Sequence, residues 1–118
     1  MPERETVSVL LASSEVVGFA KTGGLADVAG YLPRALARRG HRVAVILPLY
    51  RSVRNGPHRL EPTDHVLDIP LRGQTVPVRL WKTTLPGSDV PVFLAEQREL
   101  FEREDPSLGR NIYPLTTP

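Results

Sequence analysis

The stretch Lys21-Thr22-Gly23-Gly24-Leu25 sits between two segments of different periodicity, and it decides the fold. Before it, Val7-Ser8-Val9-Leu10-Leu11-Ala12 is apolar and partly β-branched, the pattern of a short buried strand. After it, Leu25, Val28, Ala29, Leu32 and Leu36 fall at helical spacing and predict one apolar stripe. A strand, a glycine loop and a helix in that order place backbone N–H groups at a helix N-terminus. There they are expected to point outward unpaired, in the field of the macrodipole, which suits an anion. Two adjacent glycines let a ligand approach the main chain with no Cβ in the way. Lys21 adds a cation beside the same spot. The loop reads as a seat for a phosphate or a diphosphate.

Working outward, the helix is expected to close at Arg38-Arg39-Gly40, where basic residues and then glycine mark a C-terminus. Pro33 inside it removes one backbone hydrogen bond, so a kink is predicted there. Residues 42–47 are almost continuously apolar, which predicts a strand covered on both faces in a parallel α/β sheet. Strand, helix and strand form a βαβ unit whose crossover should be right-handed. Ser13-Ser14-Glu15 falls at the carboxyl end of the first strand, the end where open parallel sheets place their ligands. Residues 51–63 then read as an exposed loop with Asn55-Gly56-Pro57 as its turn. Short strands are predicted over 65–71, 76–83 and 90–95 with no helix between them. Arg72-Gly73-Gln74 and Pro86-Gly87-Ser88-Asp89 supply the turns. Alternation of Val76, Val78 and Leu80 with Pro77, Arg79 and Trp81 predicts one covered face. Residues 98–103 read as a brief helix, and 111–118 carry no clear element. With a single crossover helix, one face of the sheet is expected to lack cover.

At 118 residues the chain has the length of one small domain and is too short for two lobes with a cleft. Apolar content of 41% and charged content of 24% are those of an ordinary globular protein. The formal net charge is only +2, spread along the chain, which argues against a nucleic-acid binder. The absence of cysteine excludes disulfides, thiolate catalysis and cysteine-ligated metal. His41, His58 and His65 lack ligand-like spacing, so no protein-built metal site is expected. With no signal peptide and no membrane-length apolar run, a cytoplasmic location and no membrane partner are the expectation.

Ser13-Ser14-Glu15 followed by Lys21-Thr22-Gly23-Gly24-Leu25-Ala26-Asp27-Val28 resembles the start of the bacterial glycogen synthases and plant starch synthases. Pro33, then 35–43 and Ile46-Leu47-Pro48, continue the match in order, and Glu99-Leu100-Phe101-Glu102-Arg103 is similar to the family's short phenylalanine-containing segment. The resemblance implies a retaining glucosyltransferase that uses ADP-glucose to extend the non-reducing end of an α-1,4-glucan, without metal or other cofactor. It implies the two-lobed GT-B fold of twin Rossmann-like domains. Residues 1–118 would then be an incomplete N-terminal Rossmann-like lobe, a parallel sheet start followed by short strands, with the C-terminal lobe absent. Such a fragment is expected to be inactive by itself. The resemblance assigns Lys21 a contact with the sugar nucleotide, and it assigns Gly23 and Gly24 the approach of main-chain N–H groups to phosphates or transferred sugar. Glu15 and Asp27 flank the loop where sugar hydroxyls would lie.

Each residue also has a plainer reading. Glu15 can bind backbone N–H groups locally, and Asp27 stands in a first helical turn, where a carboxylate is favoured by ~0.3–1 kcal/mol whatever the function. His41 reads as a cap or packing residue, and Trp81 and Tyr50 as core rather than as sugar platforms. The other functional class in play is a non-catalytic nucleotide-sugar or glucan-binding module. A dinucleotide oxidoreductase is disfavoured, because no Gly-x-Gly-x-x-Gly follows the first strand.

Overall fold

A computed structural model describes residues 5–101. Five strands form one sheet: β1 (Ser8–Ala12), β2 (Arg42–Pro48), β3 (Glu61–Leu71), β4 (Gln74–Thr84) and β5 (Pro91–Glu96), in the order β1-β2-β5-β4-β3. β1, β2 and β5 run parallel, whereas β4 is antiparallel to β5 and to β3. The helices are α1 (Gly24–Arg38), α2 (Arg51–Arg54) and α3 (Arg98–Phe101). None of the helices among the described residues is long and apolar enough to cross a membrane. The α/β expectation holds, and the expected elements follow in order with α2 added between β2 and β3. The expected α3 residues Glu102 and Arg103, and the segment 111–118, lie outside the described residues.

The core lies on one face of the parallel strands. Register puts Val43, Val45 and Leu47 of β2 beside Val92 and Leu94 of β5, and all five are buried. On the opposite face Leu10 is exposed, while Ala44, Ile46 and Phe93 are only half-buried. The apolar run of β2 therefore has full cover on one face among the described residues, not on both. The uncovered face anticipated for a sheet with one crossover helix is present.

α1 covers the core face with a stripe that keeps only Ala29 and Leu36 of the one its spacing predicts. Ala26, Ala29, Gly30 and Pro33 are its buried residues, whereas Leu25, Val28 and Leu32 remain 52%, 60% and 43% exposed. Small side chains let the helix lie close to its neighbours, and a larger residue on that face would push it away. Gly30 shows how close: an added Cβ would stand 2.2 Å from Val17 Cγ1. The helix ends as its sequence signals, with Gly40 at φ +91° and the His41 N–H donating to the Leu36 carbonyl.

The segment after β2 departs from the exposed loop expected for 51–63. Leu49, Tyr50 and Val53 are all buried in the core, and Arg51–Arg54 makes one helical turn that carries Val53 inward. Three apolar side chains in five residues at a core boundary outweigh the turn signal of Asn55-Gly56-Pro57. The β3–β4 hairpin turns on Arg72 and Gly73, both at positive φ (51° and 77°), the two-residue geometry that matches strand twist. Val76, Val78 and Leu80 are half-buried, as the alternation of β4 requires, yet no residue of β3 or β4 is fully buried.

Candidate functional site

The loop between β1 and α1 is held from below before any ligand is considered. Ser13 donates its N–H to the Ile46 carbonyl (3.0 Å), and its hydroxyl donates to the Glu15 carbonyl (2.6 Å). The Tyr50 hydroxyl donates to the Ser14 carbonyl (2.8 Å). Val16 and Ala20 exchange main-chain hydrogen bonds and are both buried. His58 donates through Nε2 to the Gly18 carbonyl (2.7 Å) and stacks on Phe19 at 4.1 Å between ring centroids. This floor orders residues 13–20 so that Lys21 to Gly24 emerge at the carboxyl end of the parallel strands.

Glu15 is 5% exposed and is the buried charged residue among the described ones. Its Oε1 accepts the Thr22 N–H, the Thr22 hydroxyl (2.8 Å) and the Gly23 N–H (3.2 Å). The N–H groups of Thr22 and Gly23 thus do not point outward unpaired, as the sequence led one to expect. A carboxylate already meets them, and hydrogen bonds to an ionised acceptor are roughly twice as strong as neutral ones. Thr22 gained no role from sequence reasoning, and neither did Ser13. The signal lay in two oxygen-bearing side chains flanking a glycine pair, but only the folded-back geometry shows that one serves the other.

Lys21 points away from this cluster and pairs with Asp27, Nζ to Oδ1 2.8 Å, both side chains about half exposed. The hydrogen bond and charge of Asp27 hold the Lys21 amine above its ordinary pKa, so it stays a cation. The pair bridges the loop to the first turn of α1. Exposed pairs of this kind are screened by solvent and contribute little to stability. Gly23 is the helix N-cap, with extended φ and ψ that any residue adopts, and α1 receives no side-chain cap. A Cβ added at Gly23 or at Gly24 would meet nothing within 4 Å. The structure thus groups the five candidates as a buried Glu15 gripping Gly23, an open Gly23-Gly24 surface, and an exposed Lys21–Asp27 pair beside it.

Such an arrangement offers charge stabilisation and close main-chain approach. Among the described residues no three His, Cys, Asp or Glu side chains cluster as a metal site. The remaining aromatic candidates are structural. Tyr50 is buried, and half-buried Trp81 donates Nε1 to Glu96 Oε1 (3.1 Å). His41 accepts the Val7 N–H at Nδ1 (3.2 Å), a local cap at the start of β1.

Comparison with known proteins converges on one family. Residues 8–114 match the model of the starch synthase catalytic domain. The chain is 45% identical over 109 residues to the glycogen synthase of Syntrophotalea carbinolica, an alignment covering 92% of this chain and 22% of that protein. It is 39% identical over 111 residues to the glycogen synthase of Rhodopirellula baltica, covering 86% and 22%. Among solved structures, the catalytic domain of starch synthase IV from Arabidopsis thaliana bound to ADP and acarbose superposes with TM-score 0.65 at 35% identity, over 77% of this chain and 18% of that one. The chain spans about a fifth of the length of the curated relatives it matches. The likeness and the parallel β1-β2-β5 core bear out a partial Rossmann-like lobe of a GT-B glycosyltransferase.

Proposed function

This chain belongs to the starch synthase catalytic domain family, and from that premise we propose that it supplies part of the N-terminal lobe of an ADP-glucose-dependent glucosyltransferase acting on an α-1,4-glucan such as glycogen. The Lys21–Gly24 loop is its donor contact. The observation that carries this is the glycine pair: neither backbone conformation nor packing requires glycine at 23 or 24, and both open onto space. A close-approaching ligand gives the missing side chains a reason. Breaking the glucosyl C1–O bond leaves charge on a departing diphosphate, and preorganised positive groups lower that cost. Lys21 lies where it meets such charge, exchanging Asp27 for a phosphate oxygen or sharing the two. Asp27, thus released, and Glu15 are the carboxylates nearest to glucose hydroxyls.

Because Gly23 gives its N–H to Glu15, the donor is left with Gly24, the field of the α1 N-terminus and Lys21. Turnover needs a second lobe to close over the donor and exclude water. Residues 1–118 therefore bind without transferring. A cytoplasmic location goes with this reading. Calorimetric titration of ADP-glucose into the chain is expected to show saturable binding, weakened about tenfold in Lys21→Ala, the loss of one charge-assisted contact, and more in Gly23→Val. Radiolabel transfer from ADP-glucose to glycogen by the same chain is expected to be absent. Unchanged affinity in both variants would refute the donor contact.

A further inference from the structure

We propose that Glu15 is the positioning residue of the glycine loop, a built-in anion that fixes Lys21 to Gly24 in the shape a nucleotide sugar then uses. The proposal rests on the donor reading above and gives it a cause in the fold. Three facts carry it. Glu15 is buried, and one of its oxygens accepts three donors from two consecutive loop residues. Its own backbone is held at both ends, the N–H by Ser13 Oγ (3.3 Å) and the carbonyl by the Ser13 hydroxyl (2.6 Å). Ser14 beside it is fixed by Tyr50, whose ring is in the core.

A loop of consecutive glycines loses the most backbone entropy on ordering, and such a loop left to itself samples many shapes. A ligand that met it disordered would bear that cost out of its own affinity. Glu15 settles it in advance. It does so from beneath, leaving the outer surface of Gly23 and Gly24 clear. The sign of its charge also matters. An anion arriving at the loop meets a carboxylate already seated on the inner N–H groups, so its approach is steered to Lys21 and the outer face. Glu15 therefore sets where phosphate can sit as well as how the loop is shaped.

The test uses two measurements on the same chain, amide hydrogen exchange at Thr22 and Gly23 by NMR and ADP-glucose affinity by calorimetry. Glu15→Ala is expected to speed exchange of those two amides about tenfold or more, while Val45 and Leu94 amides in the core strands stay protected, and to weaken ADP-glucose about tenfold. Glu15→Gln keeps an acceptor oxygen at the same reach without the charge, and is expected to recover most of both, within about threefold of the unsubstituted chain. Thr22→Val removes one of the three donors and is expected to fall between the two. If Glu15→Ala also deprotects Val45 and Leu94, the protein has lost its fold, and Gln and Thr22→Val carry the comparison. Loop exchange unchanged in all variants overturns the proposal, and so does faster exchange with undiminished affinity. An unsubstituted chain that binds no ADP-glucose overturns the donor reading and Glu15's role toward a donor with it. Binding that survives Glu15→Ala overturns the positioning role alone.

Discussion

The parallel half of the sheet and the β3–β4 hairpin are built on opposite terms. In the former, Val45, Leu47, Val92 and Leu94 are at most 2% exposed and share one core cluster with Val16, Ala20, Ala29 of α1 and Val53 of α2. In the latter, two strands of eleven residues contain no buried side chain, and Val66, Leu67, Ile69 and Leu71 are all at least 40% exposed. Strand propensity and turn geometry suffice to make a hairpin, but only burial makes a core. Stability and the candidate site therefore share one half of the molecule, and the other half is attached to it by backbone pairing, by Trp81 packed against the core, by the Gln97 side chain donating to the Pro77 carbonyl and by one polar cluster.

The sharpest way to break that contrast is to truncate one leucine on each side of it. Leu94→Ala is expected to cost about 2–5 kcal/mol of unfolding free energy in denaturant titration. Leu67→Ala should stay within about 0.5 kcal/mol. Equal losses would mean that the hairpin contributes a core of its own. The next effect tests the attachment. Glu96, at the end of β5, accepts from Trp81 of β4 and from Arg54 Nη2 of α2, with Arg98 at 3.8 Å. Burial alone raises its pKa, but the hydrogen bonds of Arg54 and Trp81 and the charges of Arg54 and Arg98 outweigh it and hold the carboxyl below its ordinary value. Glu96→Ala strands these donors and is expected to cost about 1–3 kcal/mol at neutral pH. A lowered carboxylate pKa contributes its full stability above the unfolded value of ~4.3 and loses it as pH falls through the folded value. Acid titration of stability should thus fall less steeply below about pH 4 in Glu96→Gln than in the unsubstituted chain. The smallest effect lies within α1. Gly30→Ala meets Val17 at 2.2 Å and is expected to destabilise by about 1 kcal/mol net, overpacking against gained helix propensity. Gly24→Ala, which meets nothing, is expected to be neutral or slightly stabilising in thermal unfolding.

Much of this was legible in the residues themselves. Period and punctuation located the five strands and α1, because Gly40, Gly73 and the apolar runs are local signals with local causes. The side of α1 that faces the core was not. Ala29 and Leu36 of the expected stripe do reach the core, but how near the helix may come to Val17 is a property of the assembled layers, and it brings Ala26, Gly30 and Pro33 in where Leu25, Val28 and Leu32 were expected. The one-turn α2 escaped for a similar reason, since Val53 is drawn inward by a core that 51–63 does not itself encode. In the candidate site, motif and the end of the strand they follow single out Lys21, Gly23 and Gly24, and the structure sets all three on one exposed loop. The grip of Glu15 on Gly23 spans eight positions and depends on the turn at Gly18, so spacing alone leaves it as one of two readings.

β3 is one of the two edge strands of the sheet, with β1 at the other side, and it carries Pro62 and Pro70. Pro70 faces Thr75, one step from the pair Leu71–Gln74 that closes the hairpin. Alternation of narrow and wide pairs then turns its nitrogen away from β4, toward the free rim. A rim lacking that donor is a poorer template for another strand. The hairpin thus sets its exposed Val66, Leu67, Ile69 and Leu71 on an edge strand that proline interrupts.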